Sequence, residues 1–144
     1  RKIINDSQSP KTQKEDMVKK VLKPTILYPN LIMSLLKDFS VNSISHITGG
    51  GLLENLPRSI PNNLSIEIDK TSWHIPKIFE WLKKEGNLSS NEMYRIFNCG
   101  VGVVLFVEKE DSSKIMNKIF EMGYKCFQIG LVSEKNDNDS IKFF

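Results

Sequence analysis

Apolar residues recur at helical spacing in two stretches of this chain. Leu31, Ile32, Leu35, Leu36 and Phe39 share one face of a helix predicted over residues 28–39. Ile115, Ile119 and Met122 do the same over residues 111–122, with Gly123 as the stop. A third helix is expected over residues 76–84, with Pro76 in its first turn, Ile78, Phe79 and Leu82 inward, and Gly86 as the stop. Ser89 or Ser90 can cap a fourth, with Glu92 in the first turn, running to about Phe97. Residues 64–69 alternate apolar and polar, as a half-buried strand does. Residues 101–107 form a continuous apolar run, the mark of a central strand. Residues 43–47, 125–132 and 141–144 complete the expected strands, and 134–140 a polar turn.

The N-terminal part is polar. Residues 5–13 are expected to form a surface loop and residues 14–22 a short helix stopped by Pro24. Residues 52–56 open another helix, closed by Pro57. Helices and strands alternate, so the fold class is α+β, a mixed β-sheet packed with helices.

Composition narrows the function. The chain has 144 residues, enough for one domain with its own core. The net charge of +3 comes from 20 basic and 17 acidic residues. The densest basic stretch, residues 11–23, is interrupted by Glu15 and Asp16 and reads as a solvated helix face. No nucleic-acid partner is expected. No apolar run approaches the roughly 18 residues of a membrane span, so no membrane partner is expected either. Cys99 and Cys126 fit no zinc or redox spacing, which favours a reduced, cytoplasmic setting. The first residues, Arg1-Lys2-Ile3-Ile4, carry no initiator Met or leader pattern and suggest part of a longer polypeptide.

The chemistry concentrates in residues 46–58, His-Ile-Thr-Gly-Gly-Gly-Leu-Leu-Glu-Asn-Leu-Pro-Arg. A strand runs into three glycines and then a helix start. Bare backbone lets an anion approach, and its N–H groups can converge on that anion beside the helix N-terminus. Thr48 adds a hydroxyl and Arg58 a fork of donors. The bland alternative is a tight turn, and neither phosphate-loop signature is present. His46 stands at the C-terminal end of its strand, where α/β ligands gather. A lone histidine is, however, more often hydrogen-bonded and structural.

A second segment runs from Met93 through Asn98, Cys99, Gly100 and Gly102. Asn98 suits a left-handed cap, and the spaced glycines allow close backbone approach. Cys99 reads as a small buried hydrophobe rather than a nucleophile. His74, after Trp73, reads as structural, and Asp69 as a turn cap. The histidines and carboxylates form no metal-ligand spacing.

These segments resemble the second half of the phosphoribosylformylglycinamidine cyclo-ligase (aminoimidazole ribonucleotide synthetase) family. The matching residues are Pro24-Thr25 with Tyr28, the 46–58 block, Ser72-Trp73 with Pro76 and Phe79, residues 92–95 with 97–102, and Ile129-Gly130. Order and spacing fit from about residue 18 to residue 132.

The resemblance implies a layered, partly ferredoxin-like α/β arrangement. It also implies that residues 1–144 are the C-terminal domain, with an N-terminal ATP-binding and dimerisation domain outside this chain. Such enzymes use ATP and Mg2+ to convert formylglycinamidine ribonucleotide to aminoimidazole ribonucleotide, releasing ADP and phosphate, and act as homodimers. By the same resemblance His46 lines the reaction cleft, and Thr48, Gly49, Gly50 and Gly51 hold a phosphate. Asn55 and Arg58 are further candidates, and Arg95, Asn98 and Gly100 would form the opposite wall. No metal ligand is expected in this chain. Competing readings are a selenophosphate or thiamine-phosphate kinase or a hydrogenase maturation factor of the same superfamily, and a non-catalytic phosphate-binding or scaffolding module.

Overall fold

The computed structural model describes residues 2–136 and 139–144. The helices are α1 (Lys2–Asp6), α2 (Lys11–Val21), α3 (Pro29–Asp38), α4 (Gly51–Asn55), α5 (Lys77–Glu85), α6 (Ser90–Ile96) and α7 (Lys109–Glu121). The strands are β1 (Ser43–His46), β2 (Leu64–Ile68), β3 (Val103–Phe106), β4 (Gly130–Glu134) and β5 (Ile141–Phe143). A 3-10 turn, Leu56–Ser59, continues α4.

The α+β class holds, but the strands divide into two small sheets. β1 and β3 form an antiparallel ribbon in which His46 faces Val103 and Ser43 faces Phe106. β2 lies between antiparallel β4 and parallel β5, which makes the second sheet mixed.

The ribbon separates two apolar clusters. On one side Val104 and Phe106 pack against a cluster that includes Ile47, Leu52, Leu56, Ile66, Ile68, Trp73 and Tyr94. On the other, Leu105 and Val107 pack against Leu31 and Leu35 of α3 and Ile115 and Ile119 of α7. The continuous apolar run of β3 therefore has a different cause from the one its pattern suggested. Among the described residues β3 has a strand on one side only, and both of its faces are apolar because each meets a separate cluster.

Several boundaries shift. The expected 5–13 loop is mostly helix: α1 ends at Asp6 and α2 starts at Lys11. Pro10 occupies the N-cap of α2, so the proline sets the start where no apolar period marks it. The basic residues of α2 do form a solvated helix, with none of its residues buried. In α5 the buried pair is Trp81 and Leu82, while Ile78 and Phe79 are half-buried. Trp81 Nε1 donates to Ser9 Oγ at 3.0 Å and Ser9 Oγ donates to Glu85 at 2.9 Å, which ties the N-terminal segment to α5. The expected 125–132 strand starts only at Gly130, and the 134–140 turn falls partly on residues 137 and 138, outside the described residues. No helix among the described residues is long and apolar enough to cross a membrane.

Candidate functional site

His46 is the last residue of β1, and its side chain is exposed. The chain then passes through buried Ile47 into Thr48 and Gly49, both exposed. Ile47 N–H donates to the Gly102 carbonyl at 2.9 Å, so the ladder continues one step past His46. The His46 imidazole makes no hydrogen bond among the described residues; its neighbour is the Tyr28 ring, edge-on, with centroids 6.3 Å apart at 70°.

The three glycines play separate parts. A Cβ on Gly49 would meet nothing within 4 Å. Gly50 is left-handed, at φ 94, and caps α4; a Cβ there would press on the Glu54 side chain at 2.8 Å. Gly51, at φ 54, is buried, and a Cβ would drive into the carbonyls of Tyr94 and Phe97 in and after α6. Its N–H donates to the Thr48 carbonyl at 3.0 Å. Gly51 is therefore the point where α4 rests on α6, and its amide is not offered to a ligand. The amides of Gly49 and Gly50 make no backbone hydrogen bond among the described residues. With α4 only five residues long, its dipole adds little, and these loop amides are what remain to meet an anion.

Asn55 clamps the loop from within. Its side-chain amide donates to the carbonyls of Gly49 at 3.1 Å and Gly51 at 2.7 Å. Its own carbonyl accepts from buried Ser45 Oγ at 3.2 Å, which couples α4 to β1. The clamp occupies the Gly49 and Gly51 carbonyls. Asn55, expected at a ligand, thus has its donors committed to the backbone.

The second segment lies beside this loop, because Gly51 seats on Tyr94 and Phe97. Its left-handed residues are Cys99, at φ 49, and Gly100, at φ 95, rather than Asn98. Asn98 instead closes the turn from its side chain: Oδ1 accepts from Gly100 N–H at 3.1 Å, and its carbonyl accepts from Val101 N–H at 2.9 Å. Trp73 Nε1 donates to the Cys99 carbonyl at 3.1 Å and anchors the turn to the core. Burial pushes the Cys99 thiol up to about 11, so it stays protonated at neutral pH, as a buried hydrophobe would. A Cβ on Gly100 would stand 2.6 Å from Pro76 Cδ, and one on Gly102 would overlap Tyr28, so both glycines admit protein neighbours.

His46, Thr48, the glycines, Asn55 and the 98–102 turn therefore share one end of the β1–β3 ribbon. Arg95 is exposed in the last turn of α6. Arg58 is exposed in the 3-10 turn at the far end of α4 from the glycines, and no ion pair holds it among the described residues. His74 is exposed in the loop after buried Trp73. Asp69 caps a turn as expected, accepting from Thr71 N–H and Oγ1 at 2.8 and 2.7 Å, which holds its carboxyl below the usual range. Tyr28, which the sequence marked only as part of the resemblance, is the ring that meets His46. Its clue was a pair of distant features, an aromatic before Pro29 and a second spaced glycine at 102.

Comparison with known proteins gives the chain its family. The chain is 42% identical over 119 residues to a Neisseria meningitidis serogroup C protein named phosphoribosylformylglycinamidine cyclo-ligase, covering 83% of this chain and 35% of that protein. It is 45% identical over 118 residues to the protein of that name from Citrifermentans bemidjiense, covering 82% and 34%. With the Staphylococcus aureus MSSA476 protein of that name it shares 39% identity over 145 aligned positions, covering 99% and 42%. The chain thus spans well under half the length of these relatives. The family described as AIR synthase related protein, C-terminal domain, matches residues 1–142, and the chain belongs to that family.

Proposed function

We propose that this chain is the C-terminal domain of a cytoplasmic, homodimeric phosphoribosylformylglycinamidine cyclo-ligase. In this reading an N-terminal domain supplies most of the ATP site and the dimer contact. The match of the C-terminal family over residues 1–142 carries the reading, and the shared name of its relatives supports it.

The reaction transfers the γ-phosphoryl group of ATP to the formamide oxygen of formylglycinamidine ribonucleotide, giving ADP. The amidine nitrogen attacks the activated carbon, the carbon–oxygen bond to the phosphoryl group breaks, and phosphate departs with the electron pair. The formamide and amidine nitrogens each give up a proton, one to the departing phosphate and one to solvent, and transfer of a ring CH2 proton to the exocyclic imine nitrogen completes the aminoimidazole. Positioning and charge stabilisation dominate such chemistry. The free amides of Gly49 and Gly50, with the Thr48 hydroxyl, suit the anionic phosphate of substrate or nucleotide. His46, exposed beside them and without a hydrogen bond among the described residues, suits the formamide oxygen or the phosphoryl group it receives. Gly51 and Asn55 hold the loop's shape, and Arg95, Asn98 and Gly100 form the adjoining wall. Arg58 is a peripheral cation in this scheme.

Magnesium is part of the family's chemistry. Among the described residues no three His, Cys, Asp or Glu side chains come together as a metal site. These residues therefore do not fit a resident magnesium, and no step here runs through it.

The test is His46→Asn in the full-length protein, assayed for ATP-dependent formation of aminoimidazole ribonucleotide. Loss of an acid–base or hydrogen-bonding group at the reacting oxygen should lower kcat about 100-fold. Thermal stability should hold to within the small contribution of the Tyr28 ring contact, since the imidazole makes no hydrogen bond among the described residues. Undiminished turnover removes His46 from the reaction, and a wild type that forms no product removes the assignment itself.

A further inference from the structure

We propose that Tyr28 is a positioning residue for His46, and that Gly102 is the notch that seats it. The inference rests on the reading of His46 as a cleft residue.

An exposed imidazole at a strand end has several open rotamers, and reactive geometry requires one. Hydrogen bonds do not select it here, because among the described residues the His46 ring has none. What meets it is the edge of Tyr28, 6.3 Å between centroids and tilted by 70°. Such an edge-to-face pair is an attractive geometry for two aromatic rings.

Tyr28 is itself fixed. It is the N-cap residue of α3, with Pro29 behind it, and its ring packs on the Leu31–Leu35–Ile115–Ile119 cluster. Its hydroxyl lies against Gly102, where a Cβ would overlap the oxygen and stand 2.9 Å from Cζ. The Gly102 carbonyl also accepts from Ile47 N–H at 2.9 Å, next to His46 in the chain. One glycine thus ties down the strand that carries the histidine and clears the space for the ring that meets it. Burial, and the nearby Tyr124, raise the Tyr28 pKa, so the hydroxyl stays neutral beside the cleft. Glycine at 102 needs no unusual backbone angle. The nearest atoms that a side chain there would meet are all of Tyr28.

The experiment uses the full-length protein with 13C-labelled histidine, the His46 Cε1–H signal being assigned by its loss in His46→Asn. Tyr28→Leu removes the ring and should shift that signal. It should also lower kcat about tenfold, with the KM values held within about twofold, because misorientation acts on the chemical step. Tyr28→Phe keeps the ring edge and should lose less than about threefold. Gly102→Ala should behave like Tyr28→Leu, since the new methyl group must displace the tyrosine. Tyr28→Phe in the Gly102→Ala background deletes the overlapping oxygen and should recover part of the loss.

A His46 signal unmoved by Tyr28→Leu overturns the proposal. So does a Gly102→Ala defect that Tyr28→Phe leaves untouched. Should His46→Asn leave turnover intact while Tyr28→Leu still moves the His46 signal, the catalytic role of His46 fails and the positioning contact stands.

Discussion

The three glycines of the loop obey different constraints, and substitution separates them. Gly51→Ala forces a methyl group into the Tyr94 and Phe97 carbonyls at a left-handed position. Backbone strain and overpacking together should cost about 2–5 kcal/mol, read as a lower melting temperature. Gly49→Ala meets open space at an ordinary φ and should change stability by less than about 0.5 kcal/mol. It should nevertheless raise KM for the phosphorylated substrate, because the methyl group narrows the approach to the loop amides. Unchanged melting and unchanged KM together would make the loop a turn and nothing more. Gly50 cannot make this distinction, since its φ of 94 strains any side chain whether or not a ligand binds. The sequence disclosed that this triplet bends and bares its backbone. It did not disclose that Gly51 packs on α6, because that depends on carbonyls far along the chain. Nor did it show that Asn55 turns its donors inward to the Gly49 and Gly51 carbonyls.

At the scale of an element, α6 shows what local sequence can specify. Ser89 and Glu92 form a reciprocal capping box: Ser89 Oγ accepts from Glu92 N–H at 3.2 Å, and Glu92 accepts from Ser89 N–H at 2.8 Å. Ser89→Ala should cost about 1 kcal/mol in thermal or urea unfolding. The hydrogen bonds from Ser89, first of its backbone and then of its side chain, hold the Glu92 carboxyl below its ordinary pKa. A carboxyl depressed by folding stabilises the native state at pH above its unfolded pKa. That contribution fades as pH falls through its folded value. Glu92→Gln should therefore lower the melting temperature most near neutral pH, and the two proteins should converge in acid. A gap that widens in acid would contradict the box. The cap was legible because its partners lie three residues apart, and the apolar periods of α3 and α7 were legible for the same local reason. The environment of β3 was not. An apolar run looks alike whether two strands flank it or two side-chain clusters do, and only tertiary contacts tell them apart. Residues 125–129 carry strand-like side chains, yet ladder pairing with β2 begins only at Gly130, where Glu67 leaves no room for a Cβ.

For the whole molecule, the proposed reading gives this site one wall of a reaction and not its full inventory. It has neutral donors in Gly49, Gly50 and Thr48 and, in His46, an imidazole with no hydrogen bond among the described residues. Among the described residues it has no cluster of carboxylates and imidazoles able to hold a divalent cation. Transfer from ATP needs the developing charge on three phosphoryl oxygens to be neutralised, and two amides with a hydroxyl meet only part of that demand. The relatives of this chain are more than twice as long as the stretch it matches. These 144 residues alone should therefore form no aminoimidazole ribonucleotide from formylglycinamidine ribonucleotide and ATP. A polypeptide spanning the relatives' length should form it, and Gly49→Ala within that polypeptide should weaken the substrate's hold. The decisive comparison is product formation by equal molar amounts of the two proteins, each first shown by circular dichroism to be folded. Steady turnover by the short chain would mean that its glycine loop and histidine suffice for phosphoryl transfer, and the division of labour argued here would be wrong.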